Sequence, residues 1–88
     1  MNTAFLLMAQ YNGAAIVPLE AVCRDYFQHL TPVEFARKAT NGSIDLPVVR
    51  IEASQKAAKG IHINDLARWI DARTEAARKE CDQLQGRR

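Results

Sequence analysis

The chain has 88 residues, which is enough for one small domain with a single hydrophobic core. Apolar residues make up 48% of it and charged residues 25%, and this composition excludes a disordered chain. The formal net charge is only +2, so composition alone is a weak argument for a nucleic-acid partner. Residues 31–60, however, hold five basic and three acidic side chains, while residues 1–30 have a net charge of −1. A basic surface is therefore expected in the middle third of the chain.

Two features bear on where the protein works. Cys23 and Cys81 are too far apart in sequence for a metal-ligand spacing, and two cysteines do not make a disulfide framework. The apolar run 4–9 is too short to cross a membrane, and it lacks both a basic segment before it and a small-residue cleavage site after it. We therefore expect a cytoplasmic protein with free thiols and no membrane partner.

The first 30 residues predict two helices. Asn2 and Thr3 can cap a short helix through the run 4–9, although six apolar residues are equally typical of a buried strand. A turn then leads into an extended segment that ends before Pro18, where a second helix begins. Its apolar residues recur at intervals of three and four, which is typical of an amphipathic helix packed on a core. They are Leu19, Val22, Cys23, Tyr26, Phe27 and Leu30.

A third helix is predicted over residues 32–41, close behind the second. Thr31 can cap it, Pro32 suits its first position, and Glu34 lies where a capping box requires an acidic residue. Its apolar face carries Phe35, Ala36 and Ala39, while Glu34, Arg37, Lys38 and Asn41 face outward. Asn41-Gly42 is expected to end it. The short spacing between the two helices is typical of a helix-turn-helix, although the turn contains no glycine.

A β-hairpin is predicted next, with strands at 46–51 and 61–63. Period-two alternation divides the side chains between a face that covers the core and an outer face. The core face is expected to carry Val49, Ile51, Ile61 and Ile63, and the outer face Val48, Arg50 and His62. The loop between the strands lacks an apolar anchor and is expected to project as a wing.

The C-terminal third predicts one more helix. Asn64 is expected to cap it, Asp65 suits its positive end, and Leu66, Trp69 and Ile70 would face the core. Tyr26, Phe27 and Trp69 are all expected in the core, and Cys23 is expected to be a small buried hydrophobe. Beyond Arg73 the apolar stripe thins to Ala76, Ala77, Cys81 and Leu84. The C-terminal tail, residues 74–88, is therefore expected to project, to fray or to contact another subunit.

The sequence offers no catalytic, metal or cofactor site. His29 and His62 have no cysteine or aspartate partner at metal-ligand spacing and belong to no recognisable triad. The four glycines stand singly, so a glycine-rich phosphate loop is excluded. We predict neither an enzyme nor a bound cofactor.

The candidate DNA-binding residues lie on the third helix and the hairpin. Arg37 and Lys38 would contact phosphate or a guanine edge, and the helix start at Thr31 could receive a phosphate. Asn41 either bonds adenine or only ends the helix, and the second role is favoured. Arg50 either contacts phosphate, which we favour, or pairs with Glu52. The wing residues Gln55, Lys56 and Lys59 would contact phosphate or a minor groove, although solvation alone also explains lysines in such a loop.

Several stretches resemble known families. Asn41-Gly42-Ser43, Leu46-Pro47-Val48-Val49-Arg50-Ile51 and Asn64-Asp65-Leu66-Ala67-Arg68-Trp69-Ile70 resemble, in order and spacing, the winged helix-turn-helix of the MerR and excisionase type. Residues 2–11, 18–20, 23–27, 30–32, 46–51 and 54–56 resemble the pyocin activator protein family. That resemblance implies a transcriptional activator that binds repeated DNA boxes upstream of bacteriocin or prophage-like genes in a damage-induced regulon.

The sequence thus predicts an α+β winged helix-turn-helix domain over residues 1–88, with three to four helices and a two-stranded hairpin wing. We expect it to bind double-stranded promoter DNA at the nucleoid and to activate transcription through RNA polymerase or a reshaped promoter. A homo-oligomer through the C-terminal helix is also expected. The alternatives are an excisionase-like architectural DNA-binding factor and, from another class, a protein-interaction adaptor.

Overall fold

The computed structural model describes residues 2–54 and 56–86. Within them lie helices α1 (Thr3–Gln10), α2 (Leu19–Tyr26), α3 (Pro32–Thr40) and α4 (Ile63–Leu84), and strands β1 (Ile16–Pro18), β2 (Val49–Arg50) and β3 (Lys59–His62). The strands form one antiparallel sheet in the order β1-β3-β2. This arrangement is an α+β winged helix-turn-helix, which confirms the predicted fold class.

The N-terminal segment forms a helix rather than the alternative strand. The Asn2 side chain caps α1, with Oδ1 accepting a hydrogen bond from the N–H of Ala4 at 2.7 Å. Leu7 is the fully buried residue of α1. The helix lies against α4, where the Thr3 hydroxyl donates to the Asp71 carboxylate at 2.6 Å. The buried Leu7 and the hydrogen bond from Thr3 together attach α1 to the body of the protein.

The sheet contains one strand more than the predicted hairpin. The extended segment before Pro18 was expected, but it also pairs with β3, with Val17 opposite Ile61. Close approach of these strands requires Gly60, because a Cβ atom there would lie 2.5 Å from the Val17 carbonyl oxygen. β1 and β3 are far apart in sequence. The local sequence pattern therefore predicted that the segment before Pro18 is extended, but not which strand it pairs with.

The predicted division of faces along the hairpin is wrong in part. Val49 pairs with Gly60 and Arg50 with Lys59, so Arg50 does not lie beside His62. Ile51 lies beyond the end of β2 and is 61% exposed. The reason is length, because β2 has two residues and alternation across six residues does not apply to it. Val48, which was expected to face outward, packs against the core.

The start of α4 also differs from the prediction. Ile63 is its first residue rather than the last of a strand, and it is buried. The N-cap is His62, whose Nδ1 accepts a hydrogen bond from the N–H of Asn64 at 3.0 Å. Asn64 is therefore not the cap, because the helix begins one residue before it. Asp65 lies in the first turn, as predicted.

The core lies between the helices and the sheet. The largest fully buried side chains are Phe35, Leu7, Ile61, Leu66, Val17 and Val22. The ring of Phe27 packs edge-on against Phe35, with centroids 4.9 Å apart, and it lies 5.9 Å from the half-buried ring of Trp69. Phe27 and Cys23 are buried as predicted. The prediction for Tyr26 was wrong, since this side chain is exposed and its hydroxyl donates to Gln10 Oε1 at 2.7 Å.

The C-terminal helix extends well beyond the core. α4 has 22 residues, and the side chains from Asp71 to Cys81 are exposed. Of the three expected behaviours of the tail, the structure shows projection as a continuous helix to Leu84. No helix among the described residues combines the length and the apolar character that a membrane span requires.

Candidate nucleic-acid interface

The start of α3 is fixed by a capping box, as predicted. Thr31 Oγ1 accepts a hydrogen bond from the N–H of Glu34 at 3.2 Å, and the Glu34 carboxylate accepts one from the N–H of Thr31 at 3.0 Å. The hydrogen bonds from the Thr31 backbone and side chain lower the pKa of Glu34. The side chain of Thr31 is therefore engaged in holding the helix end.

The other end of α3 is fixed by Asn41 and Gly42. Asn41 is the C-cap, and its Oδ1 accepts a hydrogen bond from the N–H of Ser43 at 2.9 Å. Gly42 follows with a φ of 85°, in the left-handed region that glycine adopts without strain. Of the two roles considered for Asn41, the structure shows the one that ends the helix. Both ends of α3 are thus rigidly defined.

A groove runs between α3 and the strands β2 and β3. Three cationic side chains line it, namely Arg37 from α3, Arg50 from β2 and Lys59 from β3. Its remaining lining residues are Ala36, Ala39, Thr40, Asn41, Leu46, Pro47 and Val48. None of these described lining residues is acidic. The fold therefore concentrates positive charge where the helix and the hairpin meet, although the net charge of the chain is small.

The register of β2 and β3 places two of these cations side by side. Arg50 and Lys59 are directly paired across the antiparallel ladder. Like charges in this position repel each other, so the pairing costs folding free energy. Among the described residues, no ion pair joins Arg50 to Glu52, which was the alternative role for Arg50. An anionic partner in the groove would relieve the repulsion.

The outer face of α3 is defined by the burial of Phe35, which is 0% exposed. With 3.6 residues per turn, the row directly opposite Phe35 consists of Val33, Arg37 and Thr40. Val33 is 78% exposed. Lys38 is half-buried on the flank of α3 and is not among the residues that line the groove. Arg37 and Lys38 are adjacent in sequence and were predicted to contact DNA together. In the structure they lie on different sides of α3.

Of the wing residues, Lys59 lines the groove, whereas Lys56 is not among its lining residues. Lys56 is exposed, and its N–H donates to Ser54 Oγ at 3.2 Å. A hydrogen bond from the N–H of Ile51 to the carbonyl of Ala58, at 3.1 Å, closes the base of the wing loop. Gln55, the other candidate in the loop, lies outside the described residues.

Residues 3–77 match the family model described as Pyocin activator protein PrtN. The chain belongs to this family. The match covers α1 to α3, the sheet, the groove and the first part of α4, and it ends within the tail. Membership indicates a transcriptional activator of pyocin genes, a regulatory protein rather than a class of enzyme. No curated protein and no solved structure matches the chain.

The remaining histidine, cysteine and carboxylate side chains form no metal site in the part of the chain that the structure describes. Among residues 2–54 and 56–86, no three His, Cys, Asp or Glu side chains are grouped so as to hold a metal ion. Cys23 is buried in the core, and burial raises the pKa of its thiol, which keeps it protonated at neutral pH. Cys81 is exposed on the tail. The groove between α3 and the hairpin is therefore the candidate functional site.

Proposed function

We propose that this member of the pyocin activator family binds double-stranded promoter DNA in a sequence-specific manner and thereby activates transcription. The observation that carries the proposal is the convergence of Arg37, Arg50 and Lys59 on one groove. A helix fits into the major groove of B-DNA, so α3 would enter it with its outer face toward the bases. The strands would then lie beside a phosphate backbone, which Arg50 and Lys59 would neutralise.

The candidate residues divide by role according to their positions. Arg37 lies at the centre of the outer face and would donate to guanine O6 and N7, the commonest specific contact of arginine. Thr31 and Asn41 would act by fixing the two ends of α3 through their caps. The flanking and wing residues Lys38, Gln55 and Lys56 would contact phosphates or a minor groove. Activation would follow from a contact with RNA polymerase or from a reshaped promoter, at the nucleoid in the cytoplasm.

The test begins with selection of bound duplexes from a random pool, followed by a salt titration. For a DNA-binding protein, the logarithm of the association constant falls with the logarithm of salt concentration by about 0.9 per phosphate contact. We expect Arg50→Ala and Lys59→Ala each to reduce that slope by about one and to weaken binding to all DNA sequences equally. Arg37→Ala should in addition relax sequence preference. Lys79→Ala, which removes an exposed cation from the tail, is the matched control and should leave the slope unchanged.

Several outcomes would contradict the proposal. A protein with no affinity for any duplex would be the protein-interaction adaptor considered above. Equal losses from the three groove variants on every sequence would refute the assignment of Arg37 to the bases. Binding that bends DNA for a recombinase without activating a promoter would identify the architectural alternative.

We also propose that the protein assembles as a homodimer through α4. Along this helix the residues Ile70, Thr74, Ala77, Cys81 and Leu84 follow one another at spacings of four and three, which is the seam of a coiled coil. Ile70 packs against the core, whereas the other four side chains are exposed. The core-facing stripe thus continues onto the tail, where a second copy would cover it.

The charges beside this seam favour an antiparallel pair. In a parallel pair, Arg73 would lie opposite Arg78 of the other copy and repel it. An antiparallel pair with Thr74 opposite Ala77 instead places Arg73 opposite Glu80 and Asp71 opposite Arg78. Because the dimer is symmetric, each of these two contacts occurs twice, and all four join opposite charges. Such a dimer would present two copies of α3 to the two halves of an inverted repeat.

Sedimentation over a range of protein concentrations tests the dimer. Arg73→Glu should raise the dissociation constant about tenfold, since two ion pairs become repulsive contacts. Adding Glu80→Arg should restore the dimer because the swapped charges attract again. Lys79→Glu makes the same charge change on the outermost face of α4 and should have no effect. A monomer at every concentration, or failure of the double variant to recover, would refute this arrangement without affecting the proposal of DNA binding.

A further inference from the structure

Val33 is an apolar side chain that the fold does not use. It is 78% exposed in the first turn of α3, on the side of the helix opposite the buried Phe35. A β-branched residue is a weaker helix former than most alternatives, and a polar or acidic side chain suits the first turn better. Stability therefore gives no reason for valine at this position. An interaction with a partner outside the chain would account for it.

The neighbours of Val33 indicate the kind of partner. Val33 lies one helical turn before Arg37, in the same outward row of α3. The next residue in this row, Thr40, donates its hydroxyl to the carbonyl of Ala36 at 2.8 Å. The row therefore offers one cationic donor and, beside it, one apolar side chain. The adjoining groove adds Arg50 and Lys59, so a partner that fits this surface must be strongly anionic and carry an accessible apolar group.

We propose that Val33 recognises the 5-methyl group of a thymine in the major groove of the bound DNA. This inference rests on the function proposed above. Among the four bases, thymine alone presents a methyl group in the major groove, beside the phosphates that the cations require. In a helix-turn-helix, residues near the N-terminal end of the recognition helix contact the base edges, and Val33 occupies that end of α3.

The spacing along α3 places the thymine relative to the base bound by Arg37. Four residues of helix rise by about 6 Å, and successive bases of one strand rise by about 3.4 Å. The thymine should therefore lie within about two base steps of the guanine contacted by Arg37. Because a β-branched side chain has one strongly preferred rotamer in a helix, Val33 would lose little conformational freedom on contact.

The test removes the methyl group from the DNA rather than from the protein. Duplexes selected by the wild-type protein are resynthesised with deoxyuridine in place of one thymidine at a time. Deoxyuridine keeps the base pair and lacks only the methyl group. We expect one position at which wild-type binding weakens about three- to fourfold, the value for one buried methyl group. Val33→Ala should weaken binding to the unmodified duplex by a similar factor. For this variant, replacing thymidine by deoxyuridine at that one position should no longer weaken binding.

The controls separate this inference from the function on which it rests. Phe5→Ala removes an exposed apolar side chain from α1. Its binding should be weakened by deoxyuridine at the same position and to the same extent as wild-type binding. Val33→Ala should keep or raise the thermal midpoint of the wild type, because alanine is the better helix former. If duplex is bound with the expected salt dependence but no thymine is sensitive, or if Val33→Ala keeps the sensitivity, the assignment of Val33 is wrong and the proposed function stands. If no duplex is bound, both fail.

Discussion

Replacement of Gly60 by alanine should destabilise the sheet that carries the groove. Gly60 lies in the central strand, where it pairs with Pro18 on one side and with Val49 on the other. A Cβ atom at this position would lie 2.5 Å from the Val17 carbonyl oxygen and 2.6 Å from Ile16 Cγ2. The first of these atoms belongs to the backbone and cannot rotate away, so β1 must move relative to β3.

The magnitude follows from this geometry. Forcing an extra carbon into a packed site costs about 1 to 3 kcal/mol, and a backbone contact belongs at the upper end of that range. For a domain of this size, 1 kcal/mol corresponds to a shift in the thermal midpoint of about 4 to 8 °C. Gly60→Ala should therefore lower the midpoint by about 10 °C or more. Lys59 adjoins the substituted residue, so affinity for DNA should also fall at temperatures where the variant is folded.

Thermal unfolding followed by circular dichroism measures this effect, with Gly86→Ala as the matched control. Gly86 has no atom within 4 Å of an added Cβ, but its φ of 72° makes alanine strained there. Because Gly86 lies after the end of α4, this strain should be confined to the helix end and should lower the midpoint less than Gly60→Ala does. A midpoint for Gly60→Ala within 2 °C of the wild type, judged against the few degrees expected per kcal/mol, would refute the close approach of β1 and β3.

Three further predictions concern α3 and the helix in front of it. Thr31→Ala should cost about 1 kcal/mol through loss of the cap, and the thermal midpoint should fall while Thr31→Ser remains near the wild type. Phe35→Ala should cost about 3 to 5 kcal/mol, measured by urea unfolding, and a loss below 1 kcal/mol would contradict the burial of this ring. Acid should destabilise the protein, because hydrogen bonds from Arg24 and Tyr11 lower the pKa of Asp25 and those from Thr31 lower the pKa of Glu34. This stabilisation is complete above the ordinary carboxyl pKa values and is lost as pH falls from there through the lowered values, so Asp25→Asn should flatten the decline.

The sequence was a sufficient guide wherever structure depends on residues within one helical turn. The capping box of α3 joins Thr31 and Glu34, three residues apart, and the pattern alone predicted it. The inward position of Phe35 followed from the spacing of apolar residues in the same way. The position of Tyr26 did not, since its stripe is typical of the core while a hydrogen bond to Gln10 holds it at the surface.

The pairing of the strands could not be predicted from local sequence patterns. The segment before Pro18 was expected to be extended, yet its place in the sheet depends on β3, far along the chain. Alternation along 46–51 gave the wrong faces for Val48 and Ile51, because only two residues of that segment pair with β3. A strand of two residues is too short to show the alternation of side chains from which its faces could be predicted.

The sequence by itself determined where α3 begins and ends and that Arg37 faces outward, since these properties depend on near neighbours. It also located the excess of basic residues in the middle third of the chain. Only the tertiary structure decided that Arg50 lies beside Lys59 and that both share a groove with Arg37. The physical reason is that these contacts join a helix and two strands through strand pairing and packing, which the pattern of near neighbours in the sequence does not specify.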